Sequence, residues 1–168
     1  MALGVVLERR DIDNPWQSVS WRAVAVIPGA PPVDGRRVLA EGSGWVRYHA
    51  ATLTVELHRK GTEGYRYNLS TKVPAVFVLT RRHEDTEGEV EPCAATVCPN
   101  EAQDYLDAGD DIVDRVPMPE VVVAWVQDFV KTHHVDQPFK KRRKKKWFDA
   151  HDPAHGTSPA VRGKPHHD

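Results

Sequence analysis

Residues 52–70 read TLTVELHRKGTEGYRYNLS, and how this stretch folds decides how the middle of the chain is built. Over 52–59, Leu53, Val55 and Leu57 fall in one phase, and Thr54, Glu56 and His58 in the other. Successive side chains of a strand leave opposite faces, so the alternation predicts a half-buried strand. KGTEG (60–64) predicts a turn, and YRYNLS (65–70) returns with Tyr65, Tyr67 and Leu69 in one phase. Two alternating segments around a glycine-containing loop predict a β-hairpin.

Working outward, the N-terminal side reads as further strands. GVVLERRDI (4–12) opens apolar and becomes charged. VSWRAVAVIPG (19–29) carries Trp21, Ala23, Ala25 and Ile27 in one phase and Val24 and Val26 in the other, which predicts a central strand covered on both faces. GAPPVDG (29–35) is a loop, and RRVLAEG (36–42) and GWVRYHA (44–50) are strands broken at Gly42–Ser43–Gly44. On the C-terminal side, PAVFVLTRR (74–82) and CAATVC (93–98) predict strands around the acidic loop HEDTEGEVEP (83–92).

Beyond Pro99 the pattern turns helical. Asn100 is the expected N-cap of a short helix ending at Gly109. DIVDRVP (111–117) is a connector or a short edge strand. Pro119, at a first helical position, opens PEVVVAWVQDFVKTHH, where Val122, Trp125, Val126, Phe129 and Val130 form one apolar stripe. The expected fold is α+β. It has a mainly antiparallel sheet that could curl toward a barrel, a short helix, one long C-terminal helix, and then a disordered basic tail. The expected division is a body over 1–138 and a tail over 139–168.

Charge separates the same two parts. Residues 1–139 hold 14 Lys/Arg and 21 Asp/Glu, a balance of −7, whereas residues 140–168 hold 9 and 3, a balance of +6. Lys140, Lys141, Arg142, Arg143, Lys144, Lys145 and Lys146 run without interruption into Trp147 and Phe148. Such a run suits phosphate, an anionic surface or an acidic protein. Two cysteines at C-x4-C spacing, Cys93 and Cys98, are too few for a disulfide framework and supply only half of a zinc site, so they read as small apolar residues. His133 and His134 read as the end of a helix. No phosphate-cradling loop, dinucleotide fingerprint, nucleophile elbow or H-E-x-x-H occurs, and no enzyme activity, metal or cofactor is expected. No apolar run reaches the length of a membrane span, and MALGVVLERRDID does not read as a signal peptide, so a cytoplasmic protein is expected.

Several segments carry a resemblance. V-V-L-E-R-R (5–10), Asn14-Pro15-Trp16, Trp21-Arg22 leading into Val24-Ala25-Val26, and Pro28-Gly29 resemble the opening of a proteobacterial family catalogued as domain of unknown function 3305. The aromatic segment near 65–70, the PAVFVL strand, the EVVVAWVQDFVKTHHV segment and the basic tail extend the likeness over nearly the whole chain. The resemblance implies a context: such proteins are typically encoded beside molybdenum-dependent formate dehydrogenase components and their maturation factors. Some carry a molybdopterin-guanine dinucleotide biosynthesis label, but the Leu-Ala-Gly-Gly loop and Arg-Met-Gly element of such a transferase are absent, and no catalytic residue is carried over.

The expectation is therefore a non-enzymatic accessory protein, an assembly factor or small subunit, whose partner is a formate dehydrogenase subunit or maturation factor. Trp and Arg are favoured interface anchors, which singles out Arg9, Arg10, Trp16 and Arg22 on the body. Trp21 reads first as core. The tail, Lys140–Lys146 with Trp147 and Phe148, would be a docking arm. The alternative is a nucleic-acid or anionic-surface binder acting through that tail, with the acidic body opposing it.

Overall fold

A computed structural model of the chain describes residues 1–86, 88–109 and 111–138. Met1–Val135 forms one compact unit; the second unit, Asp136–Asp168, is described only as far as 138. The expected tail over 139–168 therefore lies outside the described residues.

The first unit is a mixed α+β structure. Its strands are β1 (Ala2–Asp11), β2 (Val19–Pro28), β3 (Arg37–Gly42), β4 (Trp45–Thr54), β5 (Ala75–Arg82), β6 (Val90–Thr96) and β7 (Ile112–Pro117). Its helices are α1 (Thr62–Ser70), preceded by a 3-10 turn at Arg59–Gly61, α2 (Pro99–Ala108) and α3 (Glu120–His133). Two sheets form, with strand orders β2-β1-β4-β3 and β6-β5-β7, and every pairing is antiparallel. They do not close into a barrel, because β3 ends the first sheet with all six of its residues exposed.

Strand β1 is the buried one. Leu3 through Glu8 are all buried, so both of its faces are covered. Its direct partners on β2 pair Val5 with Val26, Leu7 with Ala23 and Arg9 with Trp21, which places Trp21, Ala23 and Val26 on one face. That corrects the sequence reading of β2 as a central strand with Trp21, Ala23, Ala25 and Ile27 in phase. β2 lies at the sheet edge, and Val24 is skipped between the Val6–Ala25 and Leu7–Ala23 pairs. A bulge of this kind adds one residue and inverts the alternation beyond it. The exposed side of β2 is partly closed by β7: the Ala23 N–H donates to Asp114 Oδ2 at 2.8 Å.

One core fills the space between the sheets. Leu3, Val5 and Leu7 of β1 join Val76 and Val78 of β5, Val116 of β7, and Val122 and Val126 of α3. On the reverse face of β1 there is no room for a side chain at residue 4: a Cβ on Gly4 would sit 2.7 Å from the Ala30 Cβ and 2.9 Å from His49 Nε2.

The hairpin expected over 52–70 is not formed. β4 continues from Trp45 only to Thr54, and residues 62–70 are helical. Thr62, Tyr65 and Asn68 are buried, at the three-residue spacing of a helix face. The Tyr65 hydroxyl accepts the His58 N–H at 3.0 Å. Asn68 Nδ2 donates to the Ala75 and Val97 carbonyls at 2.7 and 2.8 Å, and its Oδ1 accepts the Ala75 N–H at 3.0 Å. These long-range bonds outweigh a local pattern compatible with either structure. Two cap positions also differ from expectation. Cys98 caps α2 with Pro99 in its first turn, in place of Asn100, and Pro119 is the N-cap of α3.

Asn68→Ala should therefore destabilise the protein by about 3 kcal/mol, since it strips partners from three backbone groups in a buried setting. Chemical denaturation measures this, and a loss below about 1 kcal/mol would mean that α1 is held mainly by apolar packing.

Candidate functional site

The Asn14-Pro15-Trp16 segment forms the loop between β1 and β2. Asn14 Oδ1 accepts the Trp16 N–H at 2.9 Å, and the Asn14 carbonyl accepts the Gln17 N–H at 3.3 Å. Proline presets the backbone angle for such a turn, and asparagine favours it by bonding its own backbone two residues on. The Ile12 N–H closes the loop onto the Ser18 carbonyl at 2.9 Å. The result is a short, braced turn that leaves Trp16 92% exposed.

Trp16 stands at a cleft of about 450 Å³ whose wall also includes Ser20, Trp21, Arg82, Val90 and Ile112. Trp21 is half-buried, with its ring 5.8 Å from that of Tyr48 and the Arg36 guanidinium 4.5 Å above it. Arg36 in turn donates to the Val90 carbonyl at 2.7 Å. Trp21 is thus a packed wall residue, with a buried Nε1 that has no acceptor among the described residues. Arg82 is exposed and makes no ion pair among the described residues.

The structure does not gather the four body residues singled out from the sequence. Trp16 is at the cleft. Arg9 shares the core-side face with Trp21, and its Nη1 lies 3.2 Å from Asp11 Oδ1. Arg10 and Arg22 lie on the opposite face of the sheet, where register places Arg22 of β2 and Arg47 of β4 on either side of Glu8. Lys140–Lys146, Trp147 and Phe148 lie outside the described residues.

The sequence reading missed Glu8 and Arg47. Glu8 is 4% exposed. Its Oε1 accepts from Arg10 Nε and Nη2 at 3.1 and 2.9 Å, and its Oε2 accepts from Arg47 Nε at 2.9 Å. The Arg47 hydrogen bond first, and then that of Arg10, holds the Glu8 carboxyl below the usual glutamate range, against the upward push of burial. Arg10 was detectable from its phase, two residues along from Glu8. Arg47 was not, because only the β1–β4 pairing brings it there.

The cysteines and histidines singled out from the sequence sit in structural settings. Cys93 and Cys98 are free thiols, and burial pushes the Cys93 thiol up. His134 contacts the Thr62 hydroxyl at 3.1 Å, and His133 packs on Phe129 with ring centroids 4.5 Å apart. Among the described residues, no group of three or more His, Cys, Asp or Glu could hold a metal ion. Among them, too, no helix is long and apolar enough to cross a membrane.

The fold and these surfaces define a small α+β protein with two antiparallel sheets and an arginine-flanked buried carboxylate. The family described as Protein of unknown function (DUF3305) matches residues 2–143, and the chain belongs to that family. No curated protein and no solved structure gives a match.

Glu8→Gln should cost about 1 kcal/mol at neutral pH, since two charge-assisted contacts are weakened while both arginines stay half exposed. A carboxyl depressed in the folded state stabilises above its unfolded pKa and loses that contribution as pH falls through the folded value. The stability gap between wild type and Glu8→Gln should therefore shrink below about pH 4, as urea titrations across pH would read. A gap constant with pH would contradict an ionised, paired Glu8.

Proposed function

We propose that the protein is a non-enzymatic accessory protein of a molybdenum-dependent formate dehydrogenase system, an assembly or maturation factor or a small subunit, that works by binding a partner protein. The observation that carries the partner-binding part is Trp16. A tryptophan held 92% exposed by a braced turn, at the edge of a cleft, is placed as an interface anchor would be. The formate dehydrogenase context is what the sequence resemblance implies, since such proteins are typically encoded beside components of that enzyme. The partner is a subunit of that enzyme or one of its maturation factors. The basic run Lys140–Lys146 with Trp147 and Phe148 adds an electrostatic arm to the same task.

Affinity purification of the tagged full-length chain from its native host, with mass spectrometry of what co-elutes, tests this. A formate dehydrogenase subunit or maturation factor should be recovered, and Trp16→Ala should cut recovery about tenfold, as loss of an interface anchor does. Truncation after residue 138 separates the arm from the body. Absence of any such subunit would sink the proposal, and recovery of nucleic acid alone, lost with the truncation, would favour the basic run as a phosphate binder.

A further inference from the structure

The face of β1 that carries Glu8 is built differently from the rest of this acidic body. In an antiparallel sheet, directly opposed residues hold their Cβ atoms about 4.5–5.5 Å apart on one face. Glu8 has Arg22 opposite it on β2 and Arg47 opposite it on β4, and Arg10 follows two positions along the same face. Trp45 stands opposite Arg10, and the Arg47 guanidinium lies 5.2 Å from its ring. Trp45 itself rests against Gly42, where any Cβ would collide with the indole.

Both oxygens of Glu8 already accept from an arginine. A guanidinium has five N–H donors in a planar fork. Arg10 and Arg47 keep donors unspent, with side chains 56% and 46% exposed. Arg22 is exposed and makes no hydrogen bond or ion pair among the described residues. Three arginines around one glutamate leave this face net positive, while residues 1–139 together carry a net negative charge.

We propose that Arg10 and Arg47, held in place by buried Glu8, together with Arg22 opposite Glu8 on β2 and Trp45 beside them, form a docking surface for a carboxylate-rich segment of a partner protein. Guanidinium forks match carboxylates in bidentate geometry, and an aromatic ring beside them packs the aliphatic stems of such a segment. Charge complementarity picks a short acidic segment over a nucleic acid: an extended polyanion would run off the patch onto a repelling body. The surface lies on three paired strands, and Glu8 fixes two of its three arginines before the partner arrives. This inference goes beyond the accessory reading and stands without it.

The test titrates full-length protein with a capped hexaglutamate peptide at low salt, using the basic tail as a constant background in every sample. Arg22→Ala should weaken binding about threefold and Arg10→Ala/Arg22→Ala about tenfold, within the range of exposed and charge-assisted contacts. Lys72→Ala/Lys131→Ala removes the same charge from exposed positions off this face and should leave the affinity unchanged. Arg22 bonds to nothing described, so its single variant reports on binding even if loss of Arg10 disturbs the fold. Equal binding, or none, by wild type and Arg22→Ala overturns the proposal. So does a six-nucleotide single-stranded RNA whose binding falls with Arg22→Ala as steeply as the peptide's, which would mark a phosphate surface.

Discussion

Burial of β1 on both faces, from Leu3 to Glu8, is the constraint on which the rest depends. A strand covered on one side can alternate apolar and polar residues; this one cannot, and each position on its second face needs its own solution. Gly4 meets the need by having no side chain, because Ala30 and His49 already fill the space. Val6 meets it by being apolar. Glu8 meets it with two arginines, one from its own strand and one from β4. Both neighbours of β1 also break register beside Val6, where Val24 is skipped on β2 and Ala50 on β4. Paired bulges at one level sharpen the local twist of the first sheet.

The same bulges set how much could be read from the sequence. The runs that became β1, β2 and β5 were legible because strand-forming residues are dense there, and the antiparallel, mixed α+β character followed. The facing of β2 was not legible. A bulge at Val24 is invisible in a string where both phases are apolar, and the strand consequently looked central. Residues 62–70 failed for another reason. Tyr65, Tyr67 and Leu69 satisfy a two-residue period, and Tyr65 and Leu69 equally satisfy a four-residue one. The choice is made by Asn68, whose amide bridges backbone groups at residues 75 and 97, and no local window contains that information.

Of the site, the sequence exposed the parts that local chemistry dictates. Asn14-Pro15 makes a turn by itself, so Trp16 could be expected at the surface. Arg10 and Arg22 were visible as charges in a strand, but not as a group, since what joins them is Glu8 and the cross-strand position of Arg47. A buried ion pair is seldom worth more to stability than an apolar pair of the same volume. What Glu8 supplies that an apolar residue could not is orientation: two guanidiniums held at fixed positions on a sheet that otherwise carries them as free side chains.

The two surfaces differ in the physics of association. The Asp11 N–H donates to the Gly44 carbonyl at 2.8 Å, so the β1–β2 loop carrying Trp16 and the turn before Trp45 share one end of the first sheet. Charged groups act at a distance set by the screening length and govern how fast a partner arrives, whereas a desolvated aromatic anchor acts on contact and governs how long it stays. If both proposals hold, the cationic face and the exposed tryptophan, on different faces of the first sheet near one end, would divide the work of recognition. The arginines would select a partner by its carboxylates, and the indole would retain it. The net negative charge summed over residues 1–139 would oppose anions at a distance, so such a division would favour a short acidic segment that reaches the arginine face itself.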